Sequence, residues 1–188
     1  KITEHILDVH HCERIYFLTG MKGYDVSEKR LAGFTQEMAK RGLSVPEDHI
    51  FYGNFWYDSG AEVADKIYSG EVPMPEAVIC ASDHMAIGLA NRLSSLGIKV
   101  PEQIIITGFD ATAEAAINDL AITTYKPHID IAAMKAVNEI RKQIDPDLFL
   151  SEIDEFGSNG LRVCGSCGCQ ENVAYIKRRL NDSLYSVH

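Results

Sequence analysis

The feature that most constrains the fold is an alternation of short, continuously apolar segments with amphipathic segments along most of the chain. The apolar segments predict five strands: RIYFLTG (14–20), HIFYGNF (49–55), AVICAS (77–82), QIIITGF (103–109) and ITTY (122–125). Strands that are apolar along their whole length are buried on both faces, as in a parallel sheet covered by helices. The pattern therefore predicts an α/β fold with a doubly wound parallel sheet.

The segments between these strands have the spacing of amphipathic helices. The predicted helices are 2–10, one that begins at the N-cap Ser27 and stops near Gly42, 57–70, 84–97 and 129–144, the last with Ala, Met, Val and Ile on its inner face. The segments FLSEI (149–153) and LRVCGS (161–166) are the last strand candidates. No internal repeat or low-complexity segment interrupts this order.

Charge and composition limit the function. The 188 residues carry a net charge of −9, and 46% of them are hydrophobic. An acidic surface repels phosphate backbones, so we expect no nucleic acid to be contacted by this fragment itself. No apolar run approaches the roughly 20 residues that span a bilayer, and the start KITEHILDVHHCERI does not resemble a signal peptide. Five cysteines, with Cys12 and Cys80 in apolar settings, favour a reducing cytoplasm.

Polar and aromatic residues collect where the predicted strands end. They are Thr19 and Gly20, then Asn54, Phe55 and Trp56, then Ser82 and Asp83, then Phe109 and Asp110, and last Tyr125. In a doubly wound sheet, ligands bind beyond the carboxyl ends of the strands. Aromatic faces stack on rings, and acids and amides accept hydrogen bonds from hydroxyls, so the set favours a neutral polyhydroxylated small molecule. Ser82 or Asp83 could instead cap the following helix.

Three segments carry a resemblance to a known family. RLAGF (30–34), ICASDHMAIGLANRLSSLGIKVPEQIIITGFD (79–110) and LAITTYKP (120–127) resemble the effector-binding core of the lactose/galactose-repressor family over about residues 5–145. The resemblance implies the periplasmic-binding-protein fold, in which two lobes joined by three crossovers bind an effector between them.

The resemblance also implies ligand-binding residues. Arg30 matches an arginine that reaches sugar hydroxyls, and Phe55 matches an aromatic residue that stacks on the ligand. Asp110 matches a ligand-contacting acid, and Ser82 and Asp83 match neighbouring polar positions. Trp56, at the same strand end as Phe55, completes the candidate ligand-binding set. Arg30 could instead form a surface ion pair with Glu28 or Asp25.

The chain departs from the family at its amino end, where members have about a hundred more residues and a helix-turn-helix. We therefore expect a two-lobe architecture with an incomplete first lobe. Residues 1–44 and 121–146 would be the remnant of the amino-terminal lobe, and 46–120 with 148–168 the carboxyl-terminal lobe. Strand 14–20 would then have an exposed edge, which predicts a homodimer through this remnant.

The tail extends further than in the family's repressors. Cys164, Cys167 and Cys169 are weak metal candidates, because a structural zinc needs four ligands. Residues 170–188 predict an exit helix whose Val173, Ile176, Leu180 and Leu184 could form a coiled-coil seam or pack on their own domain. No other cofactor is predicted.

A non-catalytic sensor is the favoured interpretation. The sequence has no G-x-S-x-G elbow, no P-loop and no G-x-G-x-x-G after the first strand, and adjacent Ser82, Asp83 and His84 cannot converge as a triad. We expect the effector-sensing domain of a bacterial transcription regulator that acts by lobe closure. The alternatives are a sensor with a downstream output module, such as a diguanylate cyclase, and an exported sugar-binding protein.

Overall fold

The structure is a computed structural model, and it describes residues 1–120 and 122–143. Residues Lys1–Pro127 form one compact unit, and a second unit begins at His128. The predicted strands at 149–153 and 161–166, the cysteines 164, 167 and 169 and the exit helix 170–188 lie outside the described residues.

Five parallel strands form a single sheet in the first unit. They are β1 (Ile15–Thr19), β2 (Ile50–Tyr52), β3 (Ala77–Cys80), β4 (Ile105–Phe109) and β5 (Thr123–Tyr125), in the order β2-β1-β3-β4-β5. In the register, Leu18 lies opposite both Phe51 and Cys80, and Phe109 lies opposite Tyr125. The predicted parallel α/β sheet is therefore confirmed.

Helices precede, connect and follow these strands. They are α1 (Ile2–Asp8), α2 (Asp25–Lys40), α3 (Tyr57–Ser69), α4 (Asp83–Ser95), α5 (Ala113–Ile117) and α6 (Ile129–Gln143), with a short 3₁₀ turn at Glu47–His49. The chain moves from β1 to β2 in one direction and from β3 to β4 in the other. Because parallel crossovers are right-handed, α2 and α4 cover opposite faces of the sheet. Their buried apolar residues form the core on both sides of β1 and β3.

The helix ends follow from local chemistry. Gly70 ends α3 in the left-handed conformation, and the hydroxyl of Ser82 accepts a hydrogen bond from the Met85 amide at the start of α4. The predicted N-cap at Ser27 is wrong, because α2 begins two residues earlier and Ser27 is buried inside it. The N-cap is Tyr24, whose side chain makes no capping hydrogen bond.

The expected division of residues 1–120 between two lobes is not what the sheet shows. Strand β1, from the segment 1–44, lies between β2 and β3, from the segment 46–120, and both pairings are parallel. Its edges are therefore covered, and the exposed edge expected for residues 14–20 is wrong. The error arose because an apolar strand carries no information about which strands become its neighbours.

Helix α6 belongs to the second unit. Its predicted apolar face is present, but the side chains on it are exposed: Ile129, Ile131, Met134, Val137 and Ile140. Amphipathic spacing alone thus does not establish that a helix is buried. Among the described residues, no helix is long and apolar enough to cross a membrane.

Candidate functional site

The candidate site lies where the order of the sheet reverses. The connections from β1 and β3 leave in opposite directions, which opens a crevice beyond the carboxyl ends of these neighbouring strands. Arg30 reaches this crevice from α2, and Asp110 reaches it from the end of β4. The sheet therefore gathers residues that are far apart in sequence.

Arg30 is held by three groups at the crevice. Its guanidinium donates hydrogen bonds to the Ala81 carbonyl oxygen and to Oδ1 of Asp110, the latter at 3.2 Å. The guanidinium also lies 4.0 Å from the centroid of the Phe109 ring. An arginine fixed by a carbonyl, a carboxylate and an aromatic face is positioned before any ligand arrives. This contact set differs from the ion pair with Glu28 or Asp25 considered above.

Asp110 is a partly buried carboxylate. Burial raises its pKa, and the nearby Asp83 raises it further, while Arg30 and His84 act in the opposite direction. Desolvation outweighs the arginine, so the carboxyl holds its proton more tightly than a free aspartate. Its backbone φ of 107° lies in a region that residues other than glycine rarely adopt. Such strain is typical of functional positions.

Phe55 also has a backbone φ in the left-handed region, at 68°. Its ring lies over Gly20, where a side chain would overlap the ring, and its centroid is 5.9 Å from the Arg30 guanidinium. Glycine at position 20 is therefore required for this close approach. The Arg30 guanidinium therefore lies near two aromatic rings, those of Phe55 and Phe109.

Ser82 and Asp83 are not brought to the opening. The Ser82 hydroxyl donates to the Phe55 carbonyl at 3.2 Å and accepts from the Met85 amide. The Asp83 side chain is fully buried; its Oδ2 accepts from the Thr112 amide at 2.6 Å and its Oδ1 from the Thr124 hydroxyl at 2.5 Å. Both oxygens are used within the chain, so Asp83 joins α4 to the loop after β4 and to β5.

Trp56 follows Phe55 in the chain, and 57% of its surface is exposed. Its ring centroid is 4.8 Å from that of His84 and 5.3 Å from that of Tyr57. The structure thus brings Phe55 and Asp110 to Arg30, gives the Trp56 ring contacts with Tyr57 and His84 instead, and gives Ser82 and Asp83 internal hydrogen bonds.

Sequence reasoning missed the contact of Arg30 with the Phe109 ring and the Ala81 carbonyl. It also missed the role of Thr112 and Thr124 as hydrogen-bond partners of Asp83. A signal existed for Phe109, because it directly precedes Asp110 at a strand end. Nothing local marks Thr112 or Thr124, whose role depends on β4 and β5 being neighbours.

A cavity of about 270 Å³ borders part of the candidate site, but neither Phe55 nor Asp110 lines it. Arg30, Ala81, Phe109 and Tyr125 line one part of it, and the beginning of α1 lines another. Across residues 1–120 and 122–143, no group of three or more potential metal-ligating side chains occurs. Cys12 and Cys80 are both buried and free, as predicted, and burial raises the pKa of each thiol.

A protein-family model matches most of this chain. The family model described as "Periplasmic binding protein-like domain" matches residues 3–152, which is most of the chain. The match includes every strand and helix of the first unit except the first residue of α1.

The curated relatives are transcriptional repressors. The chain is 41% identical over 108 residues to the HTH-type transcriptional repressor PurR of Vibrio parahaemolyticus, covering 57% of this chain and 32% of the relative. It is 35% identical over 115 residues to PurR of Klebsiella pneumoniae, covering 61% and 33%. The chain therefore spans about a third of the length of the curated relatives that it matches.

Solved structures give the same result. A sugar-binding LacI-family transcriptional regulator from Escherichia coli, complexed with phosphate, is 30% identical with a TM-score of 0.60, covering 66% of this chain and 45% of the other. The Escherichia coli transcriptional repressor ascG is 27% identical with a TM-score of 0.65, covering 73% and 50%.

Proposed function

The chain belongs to the periplasmic binding protein-like domain family, as the effector-binding core of a LacI-family regulator, and from this premise we propose that it senses a small, sugar-like effector for a bacterial transcription regulator. Its curated relatives are transcriptional repressors. The proposal is for a non-catalytic, cytoplasmic sensor.

The observation that carries the proposal is the paired Arg30 and Asp110 at the switch point of the sheet. Arg30 offers a rigid set of N–H donors, and Asp110 offers an oxygen that no described hydrogen bond uses. A ligand with adjacent hydroxyls can accept from the first and donate to the second. Phe55 supplies an aromatic face for the apolar side of a sugar ring.

Lobe closure is the proposed mechanism. The described site is built entirely from residues of the first unit, so it supplies one wall of a cleft. An effector that also contacts a second lobe binds the closed arrangement more tightly than the open one. It therefore shifts the population toward the closed state in proportion to that difference in affinity.

Titration calorimetry of the full chain tests the proposal with glucose, galactose, ribose, their common disaccharides, adenosine and guanosine at pH 7. We expect at least one ligand to bind, and Asp110→Asn to weaken its binding by 10-fold or more because a charged acceptor is lost. Asp65→Asn is the matched control, because Asp65 forms an exposed ion pair with Arg92 at 2.8 Å between α3 and α4. Equal affinity for Asp110→Asn and the unsubstituted chain contradicts the proposal.

The homodimer stays a prediction. The exposed edge from which it was predicted is absent, because β1 lies between β2 and β3. A monomer in light scattering at high micromolar concentration contradicts it.

A further inference from the structure

Two aromatic rings and one cation form a row at the carboxyl ends of β4 and β5. The centroid of the Tyr125 ring lies 5.2 Å from that of the Phe109 ring, with 34° between the ring planes. The Arg30 guanidinium lies over the Phe109 ring, 4.0 Å from its centroid. All three side chains also line the cavity of about 270 Å³. Phe109 is therefore the middle member of the row.

The sheet fixes the position of Phe109. Phe109 lies opposite Tyr125 in the pairing of β4 with β5, and the Asp110 amide donates a hydrogen bond to the Tyr125 carbonyl at 2.9 Å. The backbone is thus held on both sides of the residue, and its ring packs against the ring on the neighbouring strand. The place of this ring is set by the strands and needs no ligand.

The two hydrogen bonds of Arg30 at the site hold it less completely. One N–H group donates to the Ala81 carbonyl and another to a single oxygen of Asp110, so neither partner makes the two-bond contact that fixes a guanidinium against a carboxylate. In the proposed function, the Asp110 carboxylate also accepts from the effector. The Phe109 ring is thus a contact of Arg30 for which an effector hydroxyl does not compete.

We propose that Phe109, supported by Tyr125, is the positioning residue that holds the Arg30 guanidinium in its binding orientation. The inference rests on the proposed function, because Phe109 acts on the effector through Arg30. The face of an aromatic ring attracts a cation, and an aliphatic side chain of similar bulk does not. Phe109→Leu therefore keeps most of the apolar packing and removes the attraction, so Arg30 moves away from Asp110.

The first test needs no effector. An NMR titration of the Asp110 side-chain carboxyl carbon measures its pKa, which burial and the charge of Asp83 raise and which Arg30 and His84 lower. We expect Phe109→Leu to raise this pKa, because Arg30 no longer stays beside the carboxylate. Phe109→Tyr keeps an aromatic face and should leave the pKa unchanged.

Arg30→Gln separates positioning from a change in burial. If Phe109 acts through Arg30, Phe109→Leu raises the pKa of Asp110 in the unsubstituted chain and not in the Arg30→Gln chain. Tyr125→Leu is a second variant that leaves the Phe109 ring in place but removes its support. We expect it to raise the same pKa by a smaller amount.

Phe51→Leu is the matched control. Phe51 and Phe109 are both half-buried strand residues beside a tyrosine ring, and the centroid of the Phe51 ring lies 5.4 Å from that of Tyr16. We expect Phe51→Leu to cost a similar loss of stability in urea unfolding and to leave the pKa of Asp110 unchanged.

The second test is calorimetry with the ligand of the panel above that binds most tightly. We expect Phe109→Leu to weaken its binding by roughly 5-fold or more. Phe109→Tyr and Phe51→Leu should each change the affinity by less than 2-fold.

Three outcomes overturn the inference. They are an unchanged pKa of Asp110 in Phe109→Leu, a rise of the same size with and without Arg30, and an equal loss of affinity in Phe109→Leu and Phe51→Leu. In each of these, Asp110→Asn still weakens binding if the proposed function holds. A panel in which no ligand binds rejects the proposed function, while the titration still decides whether Phe109 positions Arg30.

Discussion

Asp83 and Asp110 each follow a strand end, but their different surroundings give them different roles. Asp83 is buried and accepts two hydrogen bonds from Thr112 and Thr124, so it stabilises the structure around the site. Asp110 is partly exposed and shares one oxygen with Arg30, so it is available to a ligand. Variants at the two positions should therefore change different measured quantities.

Asp83→Ala should lower stability. The change leaves the Thr112 amide and the Thr124 hydroxyl without their partner, at about 1–3 kcal/mol for each unsatisfied group. We expect a loss of about 2–4 kcal/mol in urea unfolding, with the Ser82 cap and the Arg30 contacts unchanged. Asp65→Asn, on the exposed ion pair, serves as control and should stay within about 0.5 kcal/mol. Unchanged stability for Asp83→Ala would show that these hydrogen bonds are not needed.

Effector binding should depend on pH through Asp110. Burial raises the folded pKa of this carboxyl above the ordinary value of 3.8. The ionised form accepts the ligand hydroxyl, so affinity is full above the raised pKa and falls as the pH drops through it. The decline should thus begin at a higher pH than for an ordinary aspartate. Calorimetry measures this fall in affinity from pH 7 down to the lowest pH at which the chain remains folded. Asp110→Asn should remove the pH dependence. If affinity falls by the same amount in the unsubstituted chain and in Asp110→Asn, the pH dependence arises from another titratable group.

At the scale of elements, α3 and α4 approach each other closely. A side chain at Gly60 would overlap the backbone at Met85 and Leu89, and one at Gly88 would overlap the Tyr57 carbonyl. Gly88 is one turn of α4 beyond His84, and Tyr57 follows Trp56. The glycine contact therefore sets the distance between the two helices that carry the Trp56 and His84 rings.

Gly88→Ala should destabilise the chain and disturb the packing of α3 against α4. The new methyl group meets backbone that can move only if α3 shifts, which costs about 1–3 kcal/mol. Gly33→Ala is the matched control, because Gly33 lies in α2 with open space around it and alanine favours the helix by about 0.5–1 kcal/mol. Thermal unfolding measures both, and we expect opposite signs. A neutral Gly88→Ala would mean that α3 and α4 adjust freely.

The sequence predicted the elements better than their arrangement. The strand at 77–82 and the helix ended by Gly70 were predictable, because apolar runs and a left-handed glycine are local signals. The early start of α2 was missed because its N-cap, Tyr24, makes no capping hydrogen bond. The short α5 was missed although Thr112 caps it, because five residues are too few to show helical spacing. No local pattern gives the strand order, and this order alone puts Arg30 next to Asp110, 80 positions away.

The same limit applied to the candidate site. The strand-end rule placed Phe55 and Asp110 near one another, because parallel strands end at one edge of the sheet. Arg30, which lies within α2, was given only by the family resemblance. The strand-end rule could not show that both carboxylate oxygens of Asp83 accept hydrogen bonds from Thr112 and Thr124. The burial of Asp83 depends on which loops fold over the strand end. Strand-end position therefore predicts proximity to a ligand site, and it does not predict exposure to the ligand.

At the scale of the whole molecule, the first unit holds the site on elements distributed over most of the sheet. Arg30 comes from α2, Phe55 from the loop after β2, Ala81 from the end of β3 and Asp110 from the end of β4. A ligand that contacts these residues therefore connects elements that cooperative unfolding separates. Binding and global stability should be linked by mass action.

An effector found by calorimetry should raise the melting temperature of the chain. At a ligand concentration 100 times the Kd, the folded state gains about 2.7 kcal/mol if the unfolded chain does not bind. For a chain of this size we expect a rise of roughly 5–10 °C. Asp110→Asn should need at least 10 times more ligand for the same rise, while Asp65→Asn follows the unsubstituted chain. A rise of equal size for Asp110→Asn at every ligand concentration would place the bound ligand away from the switch point of the sheet.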